Sequence, residues 1–400
     1  MPKKMKDSGI EWIGKIPEDW DIIKGKYIYD ITTGKLDANA EDIGGIYPFF
    51  TCSMEPKKIN SYAFDCEALL VAGNGIVGFT QYYKGKFNAY QRTYVLSNFS
   101  KIINPKYLKF YVSDLLEEAV TTESYGSVIS FIKLDNLKNF YVVFPSIAEQ
   151  TKIANFLDDK CSKIDKAIEL NKKAIEEEKE YFCNIMENLI EQTRNNSKII
   201  KLKYLGKLQN GISANSSKFG HGSGIFINYG DVYKHFSISD EPKGKIDLTE
   251  KERKIYSTKK GDIFFTRTSE TIEEVGMSAV ALKDYPNSAY SGFVIRFRQT
   301  NKNYYMNPNF YKYYFKMNKQ RNYFTKEMNI VTRASLSQDL LGNIPVYIPE
   351  KEAQNTIANG LDNLLNNIEQ AIKLRNTYIE QLEEYKKSLI YEAVTGKIEV

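Results

Sequence analysis

The sequence predicts an α+β protein: two similar mixed α/β domains, each followed by a long helix, with the two helices pairing as a coiled coil. Three observations predict it. A long motif occurs twice, 204 residues apart. A heptad pattern follows each copy, and the blocks before them share a β-type composition and a common opening.

The first copy of the motif carries Pro145, Gln150, Ile153-Ala154-Asn155 and Leu157-Asp158; the second carries Pro349, Gln354, Ile357-Ala358-Asn359 and Leu361-Asp362. The register holds onward through Ile164/Ile368, Ile168/Ile372, Leu170/Leu374 and Tyr181/Tyr385, and back through Asp135/Asp339 and Asn139/Asn343. A period this long means a duplicated domain rather than a solenoid unit, and hence a pseudo-symmetric molecule.

In chain order, residues 1–145 form the first domain, with strand-type runs at Leu69-Leu70-Val71 and Tyr141-Val142-Val143-Phe144. The glycines of Ala72-Gly73-Asn74-Gly75 precede no helical pattern, so they read as a tight turn between strands, not a dinucleotide loop. Residues 146–196 form the first helix. Proline suits its start, and no further proline interrupts it. Its apolar seam includes Leu157, Ile164, Ile168 and Ile175, with Asn171 as a polar seam position.

Residues 197–349 form the second domain. Its opening Ile199-Ile200-Lys201-Leu202-Lys203-Tyr204 matches Ile22-Ile23-Lys24-Gly25-Lys26-Tyr27, and Gly211 matches Gly34. That offset is 177, not 204, which is read as about 27 extra residues in the first block. Residues 350–400 form the second helix and tail, with seam positions Leu361, Ile368, Ile372, Arg375 and Ile379. Roughly 45 residues at 1.5 Å each make helices of about 65 Å. A narrow seam cannot be buried by one helix alone, which is the case for pairing.

Composition bounds the rest. The chain is 42% apolar and 26% charged, the balance of a globular protein, with no run of the length a membrane span requires. Cys52, Cys66, Cys161 and Cys183 form no CxxC pair; Cys161 and Cys183 fall in the helical pattern and read as buried thiols in a reducing cytoplasm. Net charge is 0 over 1–145, −3 over 146–196, +11 over 197–349 and −3 over 350–400. A basic domain suits a nucleic-acid partner, while acidic helices suit protein partners.

Catalytic signatures are missing. Gly34-Lys35, Gly85-Lys86, Gly244-Lys245 and Gly396-Lys397 lack the upstream glycine of a phosphate loop, and no Pro-Pro dipeptide of an amino-methylating motif occurs. His221 and His235 stand apart from other potential metal ligands. No catalytic residue and no metal site is expected.

The twice-present Pro-x4-Gln-x2-Ile-Ala-x2-Leu-Asp motif resembles the specificity subunits of type I restriction–modification systems. The N-terminal Asp7–Trp20 and C-terminal Ala393–Ile398 runs resemble how those subunits begin and end. The resemblance covers essentially the whole chain. It implies two target recognition domains, each reading half of a split site in double-stranded DNA. It also implies an antiparallel coiled coil that docks two modification (methyltransferase) subunits, and restriction (translocase/nuclease) subunits in the full complex. The chain would be non-catalytic within a DNA adenine methyltransferase and ATP-dependent endonuclease, with S-adenosylmethionine, ATP and Mg on the partners. Ala353 for Glu149 and Gly360 for Phe156 depart from the first copy.

Base-reading candidates are loop polars and cations that interrupt strands. They are Thr33, Lys35, Asn74, Tyr90, Gln91, Arg92, Tyr125 and Ser127 in the first domain. In the second they are Asn210, Lys218, Arg267, Thr268, Tyr290, Ser291, Arg333 and Ser335. Lys259 and Lys260 are expected to hold phosphates. The alternative is a coiled-coil scaffold with two protein- or glycan-binding domains; the +11 domain stands against it.

Overall fold

The computed structural model describes residues 4–123, 131–213, 216–269, 271, 274–327 and 334–400. The chain divides into two compact units, Met1–Lys172 with Arg375–Val400, and Lys173–Leu374.

In the first unit six strands form one sheet in the order Asp30–Thr33, Thr93–Ser97, Phe64–Ala72, Thr80–Ala89, Tyr47–Phe50, Lys57–Ile59. Phe64–Ala72 and Thr80–Ala89 are antiparallel from Phe64↔Phe87 to Val71↔Thr80, whereas Tyr47–Phe50 runs parallel to Thr80–Ala89. Alternate residues of a strand face opposite sides. Ala68 and Leu70 therefore join Phe50, Phe87, Ala89 and Val95 in one core, and the helix Pro105–Glu123 packs on the same strand pair.

The second unit repeats the central order. Gly206–Asn210, Val294–Gln299, Ile263–Thr266 and Ser278–Val280 form an antiparallel sheet. Ser288–Tyr290 again pairs parallel with an upstream strand, Phe219–Ile227. In both units the entry strand pairs antiparallel with the strand that leads into the long helix: Asp21–Lys24 with Tyr141–Phe144, and Lys198–Lys201 with Pro345–Ile348.

The long helices are Ile147–Gln192 and Lys351–Val394. Within the first unit Arg375 Nη1 donates to Asn171 Oδ1 (3.2 Å) and Lys386 Nζ to Asp165 Oδ1 (2.6 Å), an ascending register against a descending one, so the helices run antiparallel. The two polar seam residues thus meet each other. Leu157, Ile164 and Ile168 are buried there, as are Ile379 and Leu389. Within the second unit Phe182, Met186 and Ile190 share a core with Ala358, Leu361 and Ile368; Ile372 is partly buried against it, and Ile175 is buried. Gly360 faces open space.

The first unit also gathers the two ends of the sequence. Tyr391 Oη and Lys397 Nζ donate to Ile13 O (both 3.3 Å), and Tyr107 Oη donates to Val394 O (2.9 Å) and Val143 O (2.8 Å). Gly396 is in the left-handed region (φ +73°), and a Cβ there would lie 2.5 Å from Pro17.

Three expectations are corrected. The 27 extra residues lie in the second block. The equivalence offset climbs mostly where the second unit inserts the helices Tyr229–Tyr233 and Glu250–Tyr256. Cys183 is exposed; of the helix pair of cysteines Cys161 alone is buried. The link between Phe64–Ala72 and Thr80–Ala89 is a seven-residue loop rather than a tight turn, because Asn74 leaves the hairpin to bridge Phe131.

Candidate nucleic-acid interface

At one end of each central sheet three segments are tied together by backbone hydrogen bonds. In the first unit Gly73 N donates to Arg92 O (3.0 Å), Ile132 N to Gly73 O (2.8 Å) and Thr93 N to Tyr90 O (2.8 Å). In the second, Arg267 N donates to Phe293 O (2.8 Å), Leu336 N to Arg267 O (2.7 Å) and Val294 N to Ser291 O (2.9 Å). Asn74 bridges Phe131 as Thr268 pairs with Ser335. Gly34 N reaches Thr93 O as Gly211 N reaches Val294 O.

These parallels set Gly73 equivalent to Arg267, Arg92 to Phe293, Tyr90 to Ser291 and Thr33 to Asn210. A close approach explains the matched glycines: a Cβ on Gly34 would lie 1.8 Å from Ala89 O, and one on Gly211 2.1 Å from Ser291 O.

The structure brings most sequence candidates to these junctions. Thr33, Lys35, Gln91 and Arg92 are exposed there, with Asn74 and Tyr90 half-buried. Gln91 Nε2 donates to Asp37 Oδ1 (2.8 Å), which fixes its amide. A cavity of about 340 Å³ is lined by Gly73, Gln91, Arg92, Tyr94, Phe131 and Ile132. Tyr94 Oη donates to Ile132 O (2.9 Å), and burial raises its pKa. In the second unit Arg267 and Thr268 are half-buried and Ser335 is exposed. Asn210 Oδ1 accepts from Gln338 Nε2 (2.9 Å).

The other candidates are placed differently. Tyr290 is 0% exposed; it occupies the strand position of Ala89, faces the core, and burial drives its pKa well up. Ser291 is nearly buried and its Oγ accepts from Phe293 N (3.2 Å). Lys218 pairs with Glu252 (2.7 Å), and the bond from Lys218 holds that carboxyl well below the usual range. Tyr125, Ser127 and Arg333 lie outside the described residues. Lys259 and Lys260 precede Ile263–Thr266 whereas Arg267 follows it, so the lysines sit at the opposite end of the sheet from the junction. Sequence reasoning missed Phe131 and Phe293, 52% and 60% exposed. Their signal was aromatic side chains beside chosen polar residues.

Among the described residues no cluster of His, Cys, Asp or Glu could hold a metal ion, and no helix is long and apolar enough to cross a membrane.

Comparison with known proteins follows the same duplication. The family described as type I restriction modification DNA specificity domain matches residues 17–180 and again 195–381. The type I restriction enzyme EcoDI specificity subunit of Escherichia coli is 43% identical over 145 residues, 36% of this chain and 32% of that protein; the match thus spans about a third of that relative. The MjaVIII specificity subunit of Methanocaldococcus jannaschii is 24% identical over 96% of this chain and 94% of its own. A chain from a structural study of complex assembly in the type I R-M system superimposes with a TM-score of 0.73 at 13% identity, covering 96% of this chain and 100% of that one. The HsdS subunit from Thermoanaerobacter tengcongensis gives 0.52 at 12% identity, covering 96% and 98%.

Proposed function

The chain belongs to the type I restriction modification DNA specificity family, and on that footing we propose that it recognises a two-part DNA site, one part through each unit, and directs partner subunits to it. Family membership removes the protein- or glycan-binding scaffold as the competing reading. One observation carries the two-part site. The same three-segment junction is built twice, on the same backbone bonds, from different side chains. Two such corners suit two different short sequences rather than one repeated sequence.

In this reading the chain itself neither methylates nor cuts DNA. Two modification subunits supply S-adenosylmethionine-dependent methylation of adenine, and restriction subunits supply ATP- and Mg-dependent translocation and cleavage, in the cytoplasm. The long helices offer the docking faces. Leu170, Tyr181, Leu374 and Tyr385 are large apolar side chains left exposed at repeat-equivalent positions, a pattern that marks association surfaces. Ala353 in place of Glu149 makes the two docking faces unequal.

Single-molecule methylome sequencing of cells carrying the chain with its partner methyltransferase tests the proposal. The expected result is one gapped motif that disappears when the chain is deleted. A contiguous motif, or methylation independent of the chain, would overturn it.

A further inference from the structure

Among the described residues each junction contains one arginine and one exposed phenylalanine, but not at equivalent places. In the first unit Arg92 stands on the turn before Thr93–Ser97, and Phe131 stands on the segment that bridges Asn74. In the second unit the turn position of Arg92 is held by Phe293, and the arginine has moved to Arg267, the position of Gly73. The exchange has a steric cause. A Cβ on Gly73 would lie 2.6 Å from Arg92 O and 3.0 Å from the Tyr94 ring, so no side chain fits there in the first unit. In the second unit Ile295 stands where Tyr94 does, so no ring lies beside Arg267 at that strand position. The same two chemistries have thus arrived at the same corner by different routes.

We infer that each arginine–phenylalanine pair reads bases: Arg92 with Phe131 in one half-site, Arg267 with Phe293 in the other. The inference rests on the DNA-binding reading and adds the base chemistry to it. A guanidinium presents two parallel N–H groups that match guanine O6 and N7 in the major groove, and an apolar ring packs against the thymine C5 methyl. Each half-site therefore includes a G·C pair contacted by the arginine and a nearby A·T pair whose thymine meets the ring. A phenylalanine left 52–60% exposed on a loop gains from such burial. Lys133 Nζ, 6.0 Å from the Phe131 ring, is placed for an adjoining phosphate.

The test uses the complete complex in cells, with the methylated motif as readout. Arg92→Ala and Phe131→Ala should each relax one base pair of one half-site and leave the other half unchanged. Arg267→Ala and Phe293→Ala should do the converse. Each loss of discrimination should be roughly ten- to hundred-fold at the affected pair. A variant that no longer methylates is read by competition binding to duplexes altered one base pair at a time. Motifs and binding preferences unchanged in all four variants would overturn the inference while leaving the two-part reading intact. A wild-type chain without any DNA preference would instead sink that reading itself.

Discussion

Gln150 and Gln354 are the most fully used polar side chains of the repeat, and both are 0% exposed. Gln150 Oε1 accepts from Asn104 N (2.8 Å), and its Nε2 donates to Ile102 O and Pro145 O (2.8 and 2.9 Å). Gln354 does the same with Asn307 N, Tyr305 O and Pro349 O (each 2.9 Å). Each glutamine thus fastens the start of a long helix to the loop before the domain's own helix. Replacement of either by Leu strands buried backbone groups and should cost about 2–4 kcal/mol in urea unfolding, with no change in base preference. Lys316 makes a second prediction. Burial, with Arg321 nearby, lowers its pKa from 10.5 to about 8. The unfolded lysine holds its proton more tightly, so the folded state is penalised fully below pH 8, and the penalty fades as pH rises toward 10.5. Lys316→Met should raise stability at pH 7 by ~1–3 kcal/mol, the figure being discounted for partial solvent contact, and should flatten the rise between about pH 8 and 10. Urea midpoints measured across that range check both points.

At the scale of elements the helices carry the clearest prediction. Deleting 172–178 together with 376–382 removes one heptad from each helix, keeps the seam in phase and shortens the pair by ~10 Å. The methylated motif should keep both half-site sequences and change only the gap between them; an unchanged gap would show that the helices do not set it. The helices were also the most legible part of the sequence, since a heptad pattern with proline only at its edge marks two long helices, and a narrow seam favours their pairing over separate packing on their own domains. The equal seam positions of Asn171 and Arg375 were legible, whereas their meeting depends on where the antiparallel helices cross. The sheets were legible as strand-type runs but not in order, because strands distant in sequence, such as Asp30–Thr33 and Thr93–Ser97, pair through contacts no local pattern records. Candidate residues were legible where polarity interrupts a loop, as at Arg92. Polarity misled at Tyr290, because a one-residue phase along a strand decides between core and surface. It was silent at Phe131 and Phe293, because an exposed ring looks like core in a sequence.

For the whole molecule, the +11 of residues 197–349 does not by itself mark where DNA lies. Lys259 and Lys260 stand at the far end of the sheet from Arg267. Their double replacement by Gln should therefore leave the slope of log Kd against log salt unchanged, whereas removing a lysine that holds a phosphate flattens it by about one. A flatter slope would place DNA along the whole sheet. The division of the chain has a consequence in time as well as in space. The first unit is assembled from Met1–Lys172 and Arg375–Val400, and the second is spelled entirely between them. At roughly 5–20 residues per second, a ribosome takes about 10–40 s to make that interval. Throughout it the newly made first unit waits without residues 375–400, and Tyr107 lacks the Val394 carbonyl. Ribosome-arrested chains ending at 374 should accordingly be cleaved by protease within 147–172, and chains that reach 400 should resist. Residues 375–400 are the latch of a part that was made well before them.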